Sequence, residues 1–206
     1  MKMKKFFLMI FFLIVCVNLS YAKDFFIVGE TKIFYESPQG CVNTNLFGEE
    51  LNNYFNLNDK INDFYVTYAS DETAKQWIKD LLTGKKFSSN IRTLSIGNDK
   101  KYTNDISKIF FENSIKNQSD GFENNNLSNI EYIGKRIAKN HATWTIIGEN
   151  FSVYTVSSVS YVFIKNKLIT ISTRASYTDK ESKQEQIKWT ENHSMHAIKM
   201  LLDLNS

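Results

Sequence analysis

Between Ile130 and Tyr177 the chain carries four consecutive strand-like segments, the last alternating cleanly between apolar and polar residues, and this pattern narrows the folds open to it more than any other. The segments run Ile130–Ala138, Ala142–Ile147, Ser152–Ile164 and Leu168–Tyr177, with Gly148-Glu149-Asn150 and Lys165-Asn166 as hairpin-turn sequences between them. The last segment sets Ile169, Ile171, Thr173, Ala175 and Tyr177 against Thr170, Ser172, Arg174 and Ser176. One face of such a strand packs and the other is wetter. An antiparallel meander of this kind needs a cover for its apolar face. The chain ends in a segment suited to that, a helix from about Asp179 to Leu204. Its broad face holds Ile187, Thr190, Ser194, Ala197, Ile198, Leu201 and Leu202, and its solvated face holds Lys188, Asn192, Lys199 and Asp203.

The first half reads as a strand pair, Phe25–Val28 and Lys32–Glu36, then a turn at Ser37-Pro38-Gln39-Gly40. A strand over Ile61–Ala69 places Phe64, Val66 and Tyr68 on one face and Asp63, Tyr65 and Thr67 on the other. A helix follows, capped by Ser70 or Asp71, with Ala74, Trp77, Ile78, Leu81 and Leu82 as its apolar stripe and Gly84 as its stop. A further strand lies around Asn90–Ile96. A second helix, about Asn104–Asn117, is expected to bury Ile106, Ile109, Phe110 and Asn113. Asn117–Asn129, with Gly121 and Asn124-Asn125-Asn126, reads as a surface loop within one domain. The fold class implied is α+β: a largely antiparallel sheet covered by helices, an α/β/α sandwich with a long C-terminal helix.

The first 22 residues have the three parts of a secretory signal: a basic start with Lys2, Lys4 and Lys5, an apolar run Phe6–Leu19, and Ser20-Tyr21-Ala22 before the cleavage point. The apolar run is shorter than the roughly 20 residues of a membrane span. The expectation is a signal peptide over 1–22, cleavage between Ala22 and Lys23, and one domain over 23–206 in the periplasm or outside the cell. A retained N-terminal anchor is one rival. Lipoprotein processing at Cys16 is another, disfavoured because Val15 stands where a small residue is wanted. Cleavage changes the charge argument. The whole chain has 25 Lys+Arg and 22 Asp+Glu; losing three lysines and no acid leaves 22 of each, a formal charge of zero. A global case for nucleic acid or an anionic membrane therefore falls away. No second long apolar run exists, so the mature chain is not expected to span a membrane. Cys41 is the one cysteine left after cleavage, so the fold must stand on its hydrophobic core.

The order of elements resembles the PsbP-like α/β/α sandwich, in particular its small secreted bacterial members. The likeness runs from the strand pair with Ser37-Pro38-Gln39-Gly40, through the strand-to-helix unit Phe64 to Leu82 and Ile106-Ser107-Lys108-Ile109-Phe110, to the meander and closing helix. It implies an accessory or binding role without catalysis, and no functional residue is carried over from it.

His193 and His196 stand three apart on the closing helix, a spacing that zinc or copper can use, with Trp189 and Met200 on the same side. The sequence names no further ligand, since His141 sits in an expected turn; no metal and no cofactor are expected. Trp189, His193 and His196 are read instead as a surface-contact edge that buries its rings and keeps its polar tips wet. Cys41 could be a nucleophile only beside a histidine, and a small buried side chain is the plainer reading. The pairs Glu49-Glu50 and Asp71-Glu72 suit helix starts. Tyr35, Tyr54, Tyr65, Tyr154 and Tyr161 fall in or near strands and read as sheet packing before interface. No GxSxG, HExxH, P-loop or GxGxxG occurs. The functional expectation is an exported, non-catalytic accessory or binding protein that contacts another protein or a small ligand, the alternative being a small secreted hydrolase-like enzyme.

Overall fold

The computed structural model describes residues 24–47, 62–84, 91–123, 129–150, 153–179 and 182–206. Its strands are β1 (Asp24–Val28), β2 (Thr31–Tyr35), β3 (Cys41–Asn43), β4 (Asn62–Ser70), β5 (Arg92–Asp99), β6 (Ile130–Ala138), β7 (His141–Asn150), β8 (Val153–Ile164) and β9 (Lys167–Tyr177). The α-helices among the described residues are α1 (Asp71–Thr83), α2 (Lys108–Glu123) and α3 (Lys183–Asn205), and a short 3-10 turn spans Thr44–Phe47. Seven strands form one antiparallel sheet in the order β3-β4-β5-β9-β8-β7-β6, and β1 with β2 forms a separate hairpin. The hairpin and α3 cover one face of the sheet; α1 and α2 cover the other. The protein is thus the α+β sandwich its alternating segments imply. No helix of the described residues is long and apolar enough to cross a membrane.

The turns follow from residue chemistry. Lys165 and Asn166 both adopt positive φ, 48° and 63°, the form whose twist matches a two-residue hairpin. Gly29, at φ 60°, turns β1 into β2 in a place where a side chain has no room. A Cβ there would lie 2.7 Å from the Thr103 carbonyl oxygen and 2.9 Å from Lys167 Nζ. Lys167, itself buried, donates to the Thr103 carbonyl at 3.0 Å and pairs with Asp105 at 2.8 Å, so the hairpin tip rests on an ordered segment. The Pro38 turn closes through Cys41 N–H to the Pro38 carbonyl at 3.2 Å with Gly40 at φ 72°, one residue later than the sequence suggests. Ser70 caps α1 by accepting the Thr73 N–H at 3.2 Å.

Beneath α3 the packing changes character along the helix. Ala197, Ile198 and Leu201 lie on an apolar floor that includes Ile169, Ile171, Val162 and Leu94. Toward its N-terminus the floor is made of hydroxyls. Ser194 Oγ meets Ser160 Oγ at 2.7 Å, Ser160 meets Thr143 at 2.8 Å, and Thr173 Oγ1 donates to the Thr190 carbonyl at 3.1 Å. These buried polar groups satisfy one another. On the opposite face, Phe111 and Ile115 of α2 pack on Ala142, Trp144 and Leu168, and Ala74 and Trp77 of α1 pack on Ala69.

Several expectations are corrected. Gly148, Glu149 and Asn150 are strand, paired with Thr155, Tyr154 and Val153, and residues 151–152 between β7 and β8 lie outside the described residues. β9 has no wet side over most of its length: Thr170 and Ser172 are buried because β5 and β8 flank it and both faces of the sheet are covered. α2 starts at Lys108, where Ser107 Oγ accepts the Phe110 N–H at 3.1 Å, and it continues through Asn117 to Glu123, where a loop was expected. The rest of that loop, 124–128, lies outside the described residues. Its buried face is Phe111, Ile115 and Ser119, while Ile109, Phe110 and Asn113 are exposed. In α1 the buried side is Thr73, Ala74, Trp77 and Asp80, with Leu82 exposed and the Leu81 side chain outside the described set. In β4 the register slips between Phe64 and Val66, and the extra residue, Tyr65, stacks on Phe26 of the hairpin at 4.7 Å. The closing helix starts at Lys183 rather than Asp179. Residues 1–22, Glu49, Glu50 and Tyr54 lie outside the described residues.

Candidate binding site

One edge of α3 runs from buried Gln186 through half-buried Trp189 and His193 to exposed His196 in helical succession. Trp189 and His193 are one turn apart and their rings stack, 4.1 Å between centroids and 23° between planes. His193 Nδ1 lies 2.9 Å from the Trp189 carbonyl oxygen. A carbonyl only accepts, so Nδ1 carries the hydrogen, and in the neutral ring Nε2 keeps its lone pair. His196 is exposed three residues on.

Arg92, the first residue of β5, meets this edge from the sheet. Its guanidinium donates through Nε to Gln186 Oε1 at 2.8 Å, pairs with Glu72 of α1 at 2.9 Å and with Glu185 of α3, and sits 5.8 Å from the centre of the Trp189 ring. Its backbone N–H is taken by Thr73 Oγ1 at 2.9 Å. One side chain therefore ties α1, β5 and α3 together. Glu72 and Glu185 are largely exposed, so solvent screens these pairs and their value lies in orientation more than in stability. Next to Arg92 the ends of α1, β9 and α3 enclose an open cleft of about 300 Å³, lined by Glu72, Gln76, Arg92, Tyr177, Asp179 and Ser182 among others. The site is a polar cleft with an aromatic and cationic shoulder.

The structure brings Trp189 and His193 together and leaves His196 beside them. It does not bring the other candidates there. Met200 turns inward, where its sulfur accepts the Glu36 N–H at 3.4 Å. Among the described residues no group of three His, Cys, Asp or Glu is placed to hold a metal ion. Burial, with Asp71 adding to it, pushes the Cys41 thiol up to about 12, so at neutral pH it is a thiol and not a thiolate nucleophile. His141 is the first residue of β7 rather than part of a turn. Tyr154 stacks on Tyr177 and Tyr161 packs edge-on to Trp144, both as sheet packing, and Tyr35 is buried. Arg92 is the member that sequence reasoning misses. Its partners Glu72, Glu185 and Gln186 are 20, 93 and 94 residues away, and no local pattern marks it.

The two half-buried histidines give a pH signature. Burial lowers the pKa of His193, with His196 and Arg92 adding to the effect and the Trp189 carbonyl opposing it; burial also lowers His141. The titratable and charged groups that act on His193 are His196 and Arg92, the latter paired with Glu72 and Glu185. Below the unfolded value near 6.5 the unfolded chain binds more protons than the folded one. Stability from this source is thus complete above about pH 6.5 and is lost as pH falls through the lower folded values. Urea midpoints measured between pH 7.5 and 5 are expected to fall, and the double variant His141→Gln, His193→Gln is expected to flatten that slope; an unchanged slope would contradict the assignment.

No family profile matches the chain, and no curated protein matches it. Among solved structures it is similar to the Saccharomyces cerevisiae Ran-binding protein Mog1p, at 11% identity and a TM-score of 0.44, covering 89% of this chain and 94% of that one. It is similar in the same measure to a mutant of protein Mog1, at 10% identity and a TM-score of 0.45, with the same coverage of each chain. No residue role is carried across from either.

Proposed function

We propose that this chain is an exported, non-catalytic accessory or binding protein that contacts a protein or small-ligand partner along the α3 edge and its adjoining cleft. The observation that carries the reading is the shoulder itself: Trp189 stacked on His193, with Arg92 fixed beside them by three partners. Trp and Arg held rigid and partly exposed are the residue types that anchor interfaces, because little side-chain freedom is lost when a partner covers them. The raised Cys41 pKa speaks against thiolate chemistry. Export is supported by the N-terminal pattern of Lys2 to Ala22, and the PsbP-like character by the order of strand pair, strand-to-helix unit, meander and closing helix. Intact-mass measurement of the exported protein is expected to show a chain beginning at Lys23. A diacylglyceryl mass on Cys16 would overturn that.

Affinity capture tests the site. Immobilised chain 23–206 and its Trp189→Ala, His196→Ala variant are exposed to the same periplasmic extract and compared by quantitative mass spectrometry. A species held by the first and depleted at least about tenfold on the second is the expected result. Equal retention on both would place the contact elsewhere.

A further inference from the structure

We propose that the outer edge of β1 pairs with β1 of a second copy of this chain, across a two-fold axis, to form a continuous four-stranded ribbon. Away from the α3 edge, the strand edges of this fold are protected unequally. An uncovered edge invites pairing, and proteins defend edges with short strands, bulges, charges or covers. β3, one end of the large sheet, is only three residues long. β6, the other end, carries a register slip between Tyr132 and Gly134, places Lys135 and Arg136 next, and is tied to α3 through Glu131–Lys183 at 2.8 Å and Arg136–Glu191 at 3.0 Å. The outward side of β2 is capped by α3. The Phe34 N–H donates to Asn205 Oδ1 at 2.9 Å, Asn205 Nδ2 donates to the Phe34 carbonyl at 2.8 Å, and the Glu36 N–H reaches Met200 Sδ.

From Phe25 to Val28 β1 has no bulge and no charge of its own, although Asp24 begins the strand and the Lys32 ammonium of β2 lies 4.5 Å from the centre of the Phe25 ring. Among the described residues β1 pairs with β2 alone. The Val28↔Thr31 pair closes the two-residue turn, so Asp24, Phe26 and Val28 direct their backbone groups at β2, and Phe25 and Ile27 direct theirs outward. The Phe25 N–H turns only to the carboxylate of its neighbour Asp24, at 3.1 Å. No proline, lysine, arginine or register slip interrupts Phe25 to Val28. The side chains at these positions are apolar and open, Phe25 at 44% and Ile27 at 51% exposure.

The sequence of the strand is self-complementary about Phe26, and that commits the occupant to a second copy. With Phe26 opposite Phe26 of the other copy, each Phe25 faces an Ile27 and exchanges both backbone hydrogen bonds with it. Two apolar cross-strand pairs form on the outer face, where both rows were exposed. Asp24 falls opposite Val28, so no like charges meet. Inward-facing Phe26 and Val28 stay in the core of their own copy, so pairing needs no repacking.

Sedimentation of chain 23–206 from about 1 μM to about 1 mM tests this. A reversible monomer–dimer equilibrium is expected, weakened by about tenfold or more in Ile27→Lys and in Phe25→Lys, with the circular dichroism and melting of the monomer unchanged. In a Cys41→Ser background, F25C chain mixed with I27C chain is expected to form a disulfide-linked dimer in greater yield than either chain alone. A monomer at every concentration, or a dimer indifferent to both lysine variants, overturns the proposal.

Discussion

Ile198→Ala and Leu201→Ala are each expected to destabilise the protein by about 2–5 kcal/mol, a large share of the roughly 5–15 kcal/mol that holds a domain folded. Both side chains are almost wholly buried, in one cluster with Ile169 and Ile171 of the central strand β9 and with Ile33 and Val28 of the hairpin. Truncation there leaves a cavity walled by a helix, a sheet and a hairpin that cannot all close on it. Lys199, between them in sequence, is exposed, and Lys199→Ala should change stability by no more than about 0.5 kcal/mol. Urea titration of the three variants checks this. If all three melt alike, α3 is not docked, and a free amphipathic helix would be better read as a partner- or membrane-binding element.

The second large effect lies on the opposite face. Phe111→Ala is expected to cost about 3–5 kcal/mol, because its ring fills the space between α2 and the sheet, against Phe163 at 5.5 Å and in one cluster with Trp144 and Leu168. Ile109→Ala should cost no more than about 0.5 kcal/mol, since that side chain is 71% exposed. Calorimetric melting of the two variants separates the alternatives. The reverse order would return the buried face of α2 to Ile109 and Phe110.

Those two helices show what could be read from the sequence. In α3 the apolar stripe is long and its neighbours are unmistakably polar, so periodicity alone identifies Thr190, Ser194, Ala197, Ile198 and Leu201 as buried. In α2, Phe110 and Phe111 are adjacent, and the choice between them depends on where the helix begins. Ser107 sets that start through a cap that any nearby Ser, Asn or Asp could have made. The meander was legible because β-forming segments follow one another with turn residues between them, and β8 keeps its period-two burial over most of its length. The depth of β9 was not, because Thr170 and Ser172 look like surface residues until tertiary folding buries them. At the candidate site the aromatic half was visible as Trp189, His193 and His196, one helix turn after another. The cationic half was invisible, since Arg92 acquires meaning only from Glu72 and Glu185, which tertiary folding brings to it.

Photo-crosslinking in living cells tests the central claim most directly. A photo-reactive residue is placed at exposed His196 on the proposed contact edge, and in a second chain at exposed Lys199 on the solvated side of the same helix. The account predicts a discrete crosslinked species from position 196, lost when Trp189→Ala is added, and little or none from position 199. Equal crosslinking from both positions, or a product from 196 that ignores Trp189→Ala, would contradict it.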